Sequence, residues 1–227
     1  MSPGNALWAH LGTALVLAAL VFRLIRHRAW GSWVGGPILL LLAGLTYLPM
    51  GGSDVNGYVY AITGQLSLTS LALLGGVTTA RLWGVGLLTR REREALMIGL
   101  GSLATAFYPL ALGLTRLDPY ALGFGDWPMQ LAVCVLALLA WVSGGRRLAL
   151  LLLGAIWVFQ LRLGESDNLW DYLLDAWLGM YAVLWTVFVG LRRWLGGLRR
   201  GRRPAGKVQR FQPSSSASSQ PVPSRSR

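Results

Sequence analysis

Long apolar runs broken by short polar segments dominate this chain. LWAHLGTALVLAALVF (7–22) and LALLLLGAIWVFQL (148–161) are examples. A bilayer core takes about 20 mostly apolar residues per helix, and the short alternating segments of a membrane β-barrel are absent. The pattern predicts an all-α fold, a polytopic membrane helical bundle of about seven transmembrane helices, at 6–23, 34–50, 63–83, 95–115, 128–143, 147–162 and 173–191. The fifth and sixth runs are short, so 128–162 reads either as two spans or as a re-entrant hairpin turning at Ser143-Gly144-Gly145-Arg146-Arg147. Either way, its two outer ends return to one side.

Charge then orients the spans. Arg23, Arg26, Arg28, Arg81, Arg90, Arg91, Arg93, Arg146, Arg147 and the ten basic residues from Arg192 onward fall on one side, 19 of the 21 in the chain. The other side holds seven of the nine acids, Asp54, Asp118, Asp126, Glu165, Asp167, Asp171 and Asp175, and only two basic residues, Arg116 and Arg162. Basic residues are retained on the cytoplasmic side, which gives N-outside, C-inside. The basic cluster RLIRHR (23–28) follows the first apolar run, the reverse of a cleavable signal peptide. Trp8, Trp30, Trp33, Trp83, Trp127, Trp141, Trp170 and Trp194 lie near span ends, where amphipathic rings anchor. Residues 1–191 form the expected transmembrane domain. Residues 192–227 form a basic, Ser/Pro-rich cytoplasmic tail, expected to be disordered after about residue 200 and attracted to anionic lipids by about 1 kcal/mol per basic residue near the surface.

Composition narrows the chemistry. Only 13% of residues are charged, against about 25% in soluble domains, and mean hydropathy is +0.49. The net charge of +12 is explained by topology, so no nucleic acid is expected. Twenty Arg to one Lys, with abundant Gly, Ala and Leu, is the composition of a GC-rich bacterial genome. Cys134 is the sole cysteine and sits in an apolar run, which excludes an intrachain disulfide and thiolate clusters. His10 and His27 fall on opposite sides, so they do not present a bis-histidine haem site. HExxH, Walker A and GxSxG motifs are absent, and no cofactor is expected. No acid or base lies at the centre of a span, where proton relays and ion sites place one. The third span is the most polar. Ser67, Ser70, Gly75 and Thr79, with Gly101 and Thr105 in the fourth, are read as helix-packing positions where small residues permit close approach.

The candidate site is the outer acidic face. It comprises Asp118, Asp126, Glu165, Asp167, Asp171 and Asp175 with the two outer arginines, Arg116 and Arg162, each beside an acidic loop. At i, i+4, i+8 on one helix, Asp167, Asp171 and Asp175 form one stripe of mutually repelling carboxylates, which a hard cation with phosphate oxygens relieves. Over these nine residues the D-x-x-x-D-x-x-x-D pattern resembles the aspartate-rich diphosphate motifs of UbiA-type prenyltransferases. That resemblance implies a divalent cation on lipid diphosphate. The family's second motif is missing here, and its sites open to the cytoplasm. Glu165-Ser166-Asp167 is similar to the acidic pair in an outer loop of lipid-linked-sugar glycosyltransferases, which are far longer chains. The alternative is structural: Ser166 or Asp167 N-caps a helix, and first-turn carboxylates favour the helix dipole by about 0.3–1 kcal/mol each.

The expectation is a multi-pass protein of a bacterial inner membrane, a non-enzymatic accessory or scaffold component in envelope lipid or glycan metabolism, partnered by the bilayer and a larger membrane complex. Two other readings are a divalent-metal-dependent enzyme acting on a lipid-phosphate or lipid-linked sugar at the outer leaflet, and a small-solute or lipid transporter through the third and fourth spans.

Overall fold

The computed structural model describes residues 3–24, 32–114, 116–124 and 127–201. Arg26, His27, Arg28, Trp30, Asp126 and the tail beyond residue 201 lie outside the described residues. The chain divides into two units, residues 1–189 and 190–227. Of the second, the described part is helical and reads GLRRWLGGLRRG.

The fold is helical. In chain order come α1 (Pro3–Leu24), α2 (Ser32–Leu45), a two-stranded antiparallel hairpin of β1 (Pro49–Met50) and β2 (Ser53–Asp54), α3 (Val55–Thr63), α4 (Leu68–Trp83) and α5 (Arg90–Ala111). A 3-10 turn (Tyr120–Gly123) precedes α6 (Trp127–Val142), α7 (Arg146–Gln160), the single turn α8 (Trp170–Leu173) and α9 (Ala176–Gly201). Each expected apolar run is helical, but several boundaries differ. The third does not start at 63. Gly64, at φ 64°, stops α3, and Ser67 caps α4 by accepting from the Ser70 N–H. The second ends at Leu45, and the residues expected to complete it form the hairpin. Residues 127–160 form two antiparallel packed helices joined at Gly144, where φ is 84°.

The expected seven-span bundle is met only in part. Two helices, α1 over Gly4–Phe22 and α5, are long and apolar enough to cross a membrane. A third span results if α3 and α4, bent by 118° at their break, count as one. The apolar runs α2, α6 and α7 yield helices of 14, 16 and 15 residues.

Hydroxyl and small residues share the interior with large apolar ones, and many large apolar side chains are exposed. Thr13, Thr46, Ser67, Thr69 and Thr78 are buried, as are Ala18, Ala104, Ala149, Ala155 and Ala182. Leu40 (76% exposed), Leu184 (63%) and Trp33 (90%) point outward with many other large apolar side chains. Small residues let helices meet closely. At Gly101 a Cβ would lie 2.7 Å from the Ala182 carbonyl oxygen and 2.4 Å from the Thr186 hydroxyl. The Thr186 hydroxyl donates across this contact to the Met97 carbonyl at 3.2 Å. Leu96, Leu100 and Ala104 pack there on Leu178 and Ala182. The remaining small-residue positions make local contacts. Thr79 and Thr105 donate to carbonyls of their own helices, Gly76 and Gly101, and Gly75 faces Leu87 of the following loop.

Contacts sort the loops into two ends. At one, the Trp8 indole donates to the Leu66 carbonyl (2.9 Å), the Thr13 hydroxyl to Asn56 (2.7 Å) and the Tyr60 hydroxyl to Glu165 (2.7 Å). His10 stacks on Tyr47 at 3.9 Å and bonds to Thr46 at 3.0 Å. At the other end, Arg81 donates to the Phe22 carbonyl and the Arg147 guanidinium to the Gly86 carbonyl (2.9 Å). Glu92 completes that end. In the capping box of α5 its Oε2 accepts from the Thr89 N–H (2.8 Å) and hydroxyl (2.7 Å). Its Oε1 accepts the N–H groups of Arg147 (2.9 Å) and Leu148 (3.2 Å) in the first turn of α7.

Gly101→Val is expected to force α5 and α9 apart and destabilise the protein by about 1–3 kcal/mol. Gly99→Ala, where an added Cβ meets nothing within 4 Å, is the control. Thermal unfolding of both in detergent micelles checks this, and equal melting points would refute the tight crossing.

Candidate functional site: the acidic end of the bundle

The anticipated stripe of Asp167, Asp171 and Asp175 does not form. The helix expected from 173 is broken: α8 ends at Leu173, Leu174 is extended (φ −146°, ψ 119°), and α9 begins at Ala176. Asp167 therefore sits in a loop, Asp171 on the one-turn α8, and Asp175 at the start of α9. The break frees Asp175 to act as a cap. Its Oδ1 accepts the Leu178 N–H (2.8 Å), as an N-cap does three residues on. Its Oδ2 accepts the Ser67 N–H (2.9 Å), the Ser67 hydroxyl (2.8 Å) and the Ser70 hydroxyl (2.5 Å) at the start of α4. One buried carboxylate thus joins two helix N-termini. Ser67 and Ser70, read as packing positions, are its ligands.

Asp171 faces elsewhere. It accepts from the Tyr120 hydroxyl (2.9 Å) and the Ser166 hydroxyl (2.5 Å). Asp118 accepts the N–H groups of Tyr120 (3.0 Å) and Ala121 (3.3 Å) and starts the 3-10 turn. Glu165 takes the Tyr60 hydroxyl, and its own N–H donates to Gln65 (2.6 Å). Burial, reinforced by the hydrogen bond to Asp171 and that residue's negative charge, pushes the Tyr120 hydroxyl up to about 12. Tyr120 therefore stays a donor at neutral pH.

Sequence reasoning missed the residue that ties these loops together. Asn168 is fully buried. Its side chain accepts the Trp170 N–H (2.9 Å) and donates to the Tyr120 carbonyl (2.9 Å), while its backbone bridges to Phe124. The Leu169 N–H donates to the Gly123 carbonyl (2.8 Å), and the Trp170 indole to that of Pro119 (2.9 Å). A Cβ at Gly123 would fall 1.8 Å from the Asn168 oxygen, so only glycine fits. A polar Asn beside acids gives no sign of burial in the sequence.

The two arginines of the acidic loops, Arg116 and Arg162, separate. Arg116 is exposed and makes no ion pair among the described residues. Arg162 is the non-glycine residue at positive φ (51°) among the described residues. It ends α7 in a Schellman arrangement, its N–H donating to the Phe159 carbonyl and the Leu163 N–H to that of Val158. Glycine is usual there, because a Cβ costs about 1–2 kcal/mol in this conformation. Arg162 shares a cavity with Asp167 but not with the other acids.

The arrangement therefore splits the acidic face into separate hydrogen-bonded corners. Among the described residues, no group of three or more His, Cys, Asp or Glu side chains is placed to hold a metal ion. A larger cavity, about 570 Å³, lies between α5, α6 and α7. It is lined by apolar residues such as Leu100, Val133 and Leu152, and reaches Trp170 and Leu173 at the acidic end. No protein-family model, curated protein or solved structure matches this chain.

Asp175→Asn is expected to destabilise by about 1–3 kcal/mol, because an amide has one oxygen for donors that now meet two. Asp175→Ala should cost more, and Ser70→Ala about 0.5–1.5 kcal/mol; denaturant melts monitored by circular dichroism measure all three. A pH effect follows from Tyr120. Its folded value lies above the ordinary 10.0, so its contribution is complete below about pH 10 and fades as pH rises toward about 12. Tyr120→Phe should remove part of the alkaline loss of stability in that window; unchanged alkaline unfolding would refute the assignment.

Proposed function

We propose that this chain is a multi-pass protein of a bacterial inner membrane that crosses it about seven times, with its N-terminus outside and its C-terminus in the cytoplasm. In this reading it is a non-enzymatic accessory or scaffold component of envelope lipid or glycan metabolism. The observation that carries it is the apolar exterior: many large apolar side chains, Leu40, Leu184 and Trp33 among them, are exposed, while hydroxyl residues such as Thr13, Thr46, Thr69 and Thr78 are buried. In water each outward Leu forfeits about 1.5–3 kcal/mol of burial. In lipid that penalty vanishes, and close contacts between small residues hold helices together. The shorter helices α2, α6 and α7, with 14, 16 and 15 residues, span about 21–24 Å at 1.5 Å per residue. Flanking loops and local thinning accommodate the difference from a ~30 Å core. The bend between α3 and α4 is capped within the protein, the Gly64 N–H donating to the Tyr60 carbonyl and the Ser67 N–H to Asp175, which is how broken backbone is tolerated at depth.

The scaffold reading is preferred to the enzyme because Asp118, Asp171 and Asp175 accept hydrogen bonds from their own fold. A metal-dependent enzyme would need them free around a cation. The envelope assignment rests on the polar end that faces outward in this topology.

A reporter active only outside the cytoplasm, fused after Arg227, is expected to be silent, and a cytoplasmic one active; the opposite result overturns the topology. For the role, Asp171→Asn keeps an acceptor for Tyr120 and should complement a deletion strain. Severe loss in a normally inserted variant, with divalent-metal dependence, would return the enzyme reading.

A further inference from the structure

Away from the capped carboxylates, at the outer ends of α6 and α7, lies an open polar cleft of about 380 Å³, in which Phe124, Gln160, Arg162 and Asp167 are solvent-exposed. That size falls within the ~300–1,000 Å³ range of ligand pockets. Phe124, Gln130, Phe159, Gln160, Arg162 and Asp167 line it. It differs from the capped corners in its unengaged groups. Arg162 and Asp167 face the same cavity yet form no ion pair with each other or with any other described residue. The Gln160 amide donates to the Gln130 oxygen at 2.8 Å. This leaves the Gln160 oxygen as an acceptor and the Gln130 amide as a donor in the cavity wall. The cavity thus offers a cation and an anion held apart, an amide donor and acceptor, and two aromatic rings.

The backbone at Arg162 adds an independent argument. Glycine would relieve the left-handed conformation there (φ 51°). Strain held at one residue, with its side chain in a cavity wall, is the pattern of a position kept for its side chain. A guanidinium is suited to an oxyanion such as phosphate, which it grips with paired N–H groups. A carboxylate across the same cavity is suited to an ammonium. Ligands carrying only an anion or only a cation would leave one of the two facing nothing.

We propose that this cavity binds a phosphate–ammonium zwitterion, the phosphoethanolamine type of headgroup, with the phosphate on Arg162 and the ammonium on Asp167. The lipid source of that headgroup rests on the membrane reading above; the pocket chemistry does not. A headgroup at this depth would leave its acyl chains along the apolar outer faces of α6 and α7, where Leu138 and Leu150 are exposed.

The test uses the full chain purified in detergent, with heat stability as the readout. The probes are dihexanoyl phosphatidylethanolamine, dihexanoyl phosphatidylglycerol and free phosphoethanolamine. Wild type should be protected by the phosphatidylethanolamine at concentrations about tenfold below those needed of the phosphatidylglycerol, because the latter lacks the ammonium. Asp167→Asn should erase that preference while keeping protection by both lipids. Arg162→Gly should melt no lower than wild type without lipid, since its backbone strain is relieved, yet need about tenfold more of either lipid. Equal protection of wild type and both variants, or no headgroup preference in wild type, overturns the proposal. Free phosphoethanolamine matching the lipid would support the zwitterion site and assign its source to solution. That arm remains informative if the topology reporter refutes membrane insertion.

Discussion

Every helix begins with N–H groups that no residue of the helix can satisfy, and this fold meets that constraint by making single buried carboxylates serve two helices at once. Asp175 accepts from the first turns of α9 and α4. Glu92 accepts from the first turns of α5 and α7. In an apolar surrounding an unpaired backbone group costs several kcal/mol, so each carboxylate removes several such penalties together. It does so with the sign of charge that a helix N-terminus favours. The two devices sit at opposite ends of the bundle, one for helices starting at the acidic end, one for helices starting at the basic end. They fix which helix starts lie side by side, and therefore the order in which the helices stand.

Pinned ends change what the middle must do. Helices tied at their starts need close contact along their lengths rather than a large apolar core. The interior mixes Ala, Thr, Ser and Gly with larger residues such as Leu96, Met97, Leu100 and Tyr172, and Gly101 meets Ala182 at a close crossing. Many further leucines and tryptophans lie on the outside. The same arrangement explains why the acidic face is not one site. Once Asp175 turns inward to two helix starts and Asp171 turns to Tyr120 and Ser166, the carboxylates diverge, and the charge repulsion of a common stripe never arises.

How much of this was written in the sequence depends on the distance between partners. The apolar runs located the helices. Thr89 and Glu92, three residues apart before an apolar run, are a capping box legible on sight. Ser67 and Asp54 are similar local signals, each realised as an N-cap. The second half of each device was not legible, because Asp175 lies 108 residues from Ser67 and Glu92 lies 55 from Arg147. Nothing in LWDYLLDAWL demands a break at Leu174. A continuous helix satisfies its local propensities, and the break appears because Asp175 gains four hydrogen bonds by becoming a cap instead of an interior residue. Asn168 failed for the same reason: its partners, Tyr120 and Gly123, belong to a loop more than 40 residues upstream.

The charge asymmetry also acquires a second meaning. Read as topology, it treats every acid on the basic side and every base on the acidic side as an exception. Three of the four exceptions now have local causes of their own. Glu92 lies among arginines because two helix starts converge on it, and Glu94 pairs with Arg90 at 2.9 Å one turn away. Arg162 stands among acids in a backbone conformation that favours glycine, with its guanidinium in a cavity wall. Arg116 has no such cause in the structure. A global bias of this kind is set by many weak terms of about 1 kcal/mol or less. A residue that opposes it persists where a local interaction outweighs that bias, which is why the exceptions, more than the residues that obey the rule, mark where the structure concentrates its chemistry.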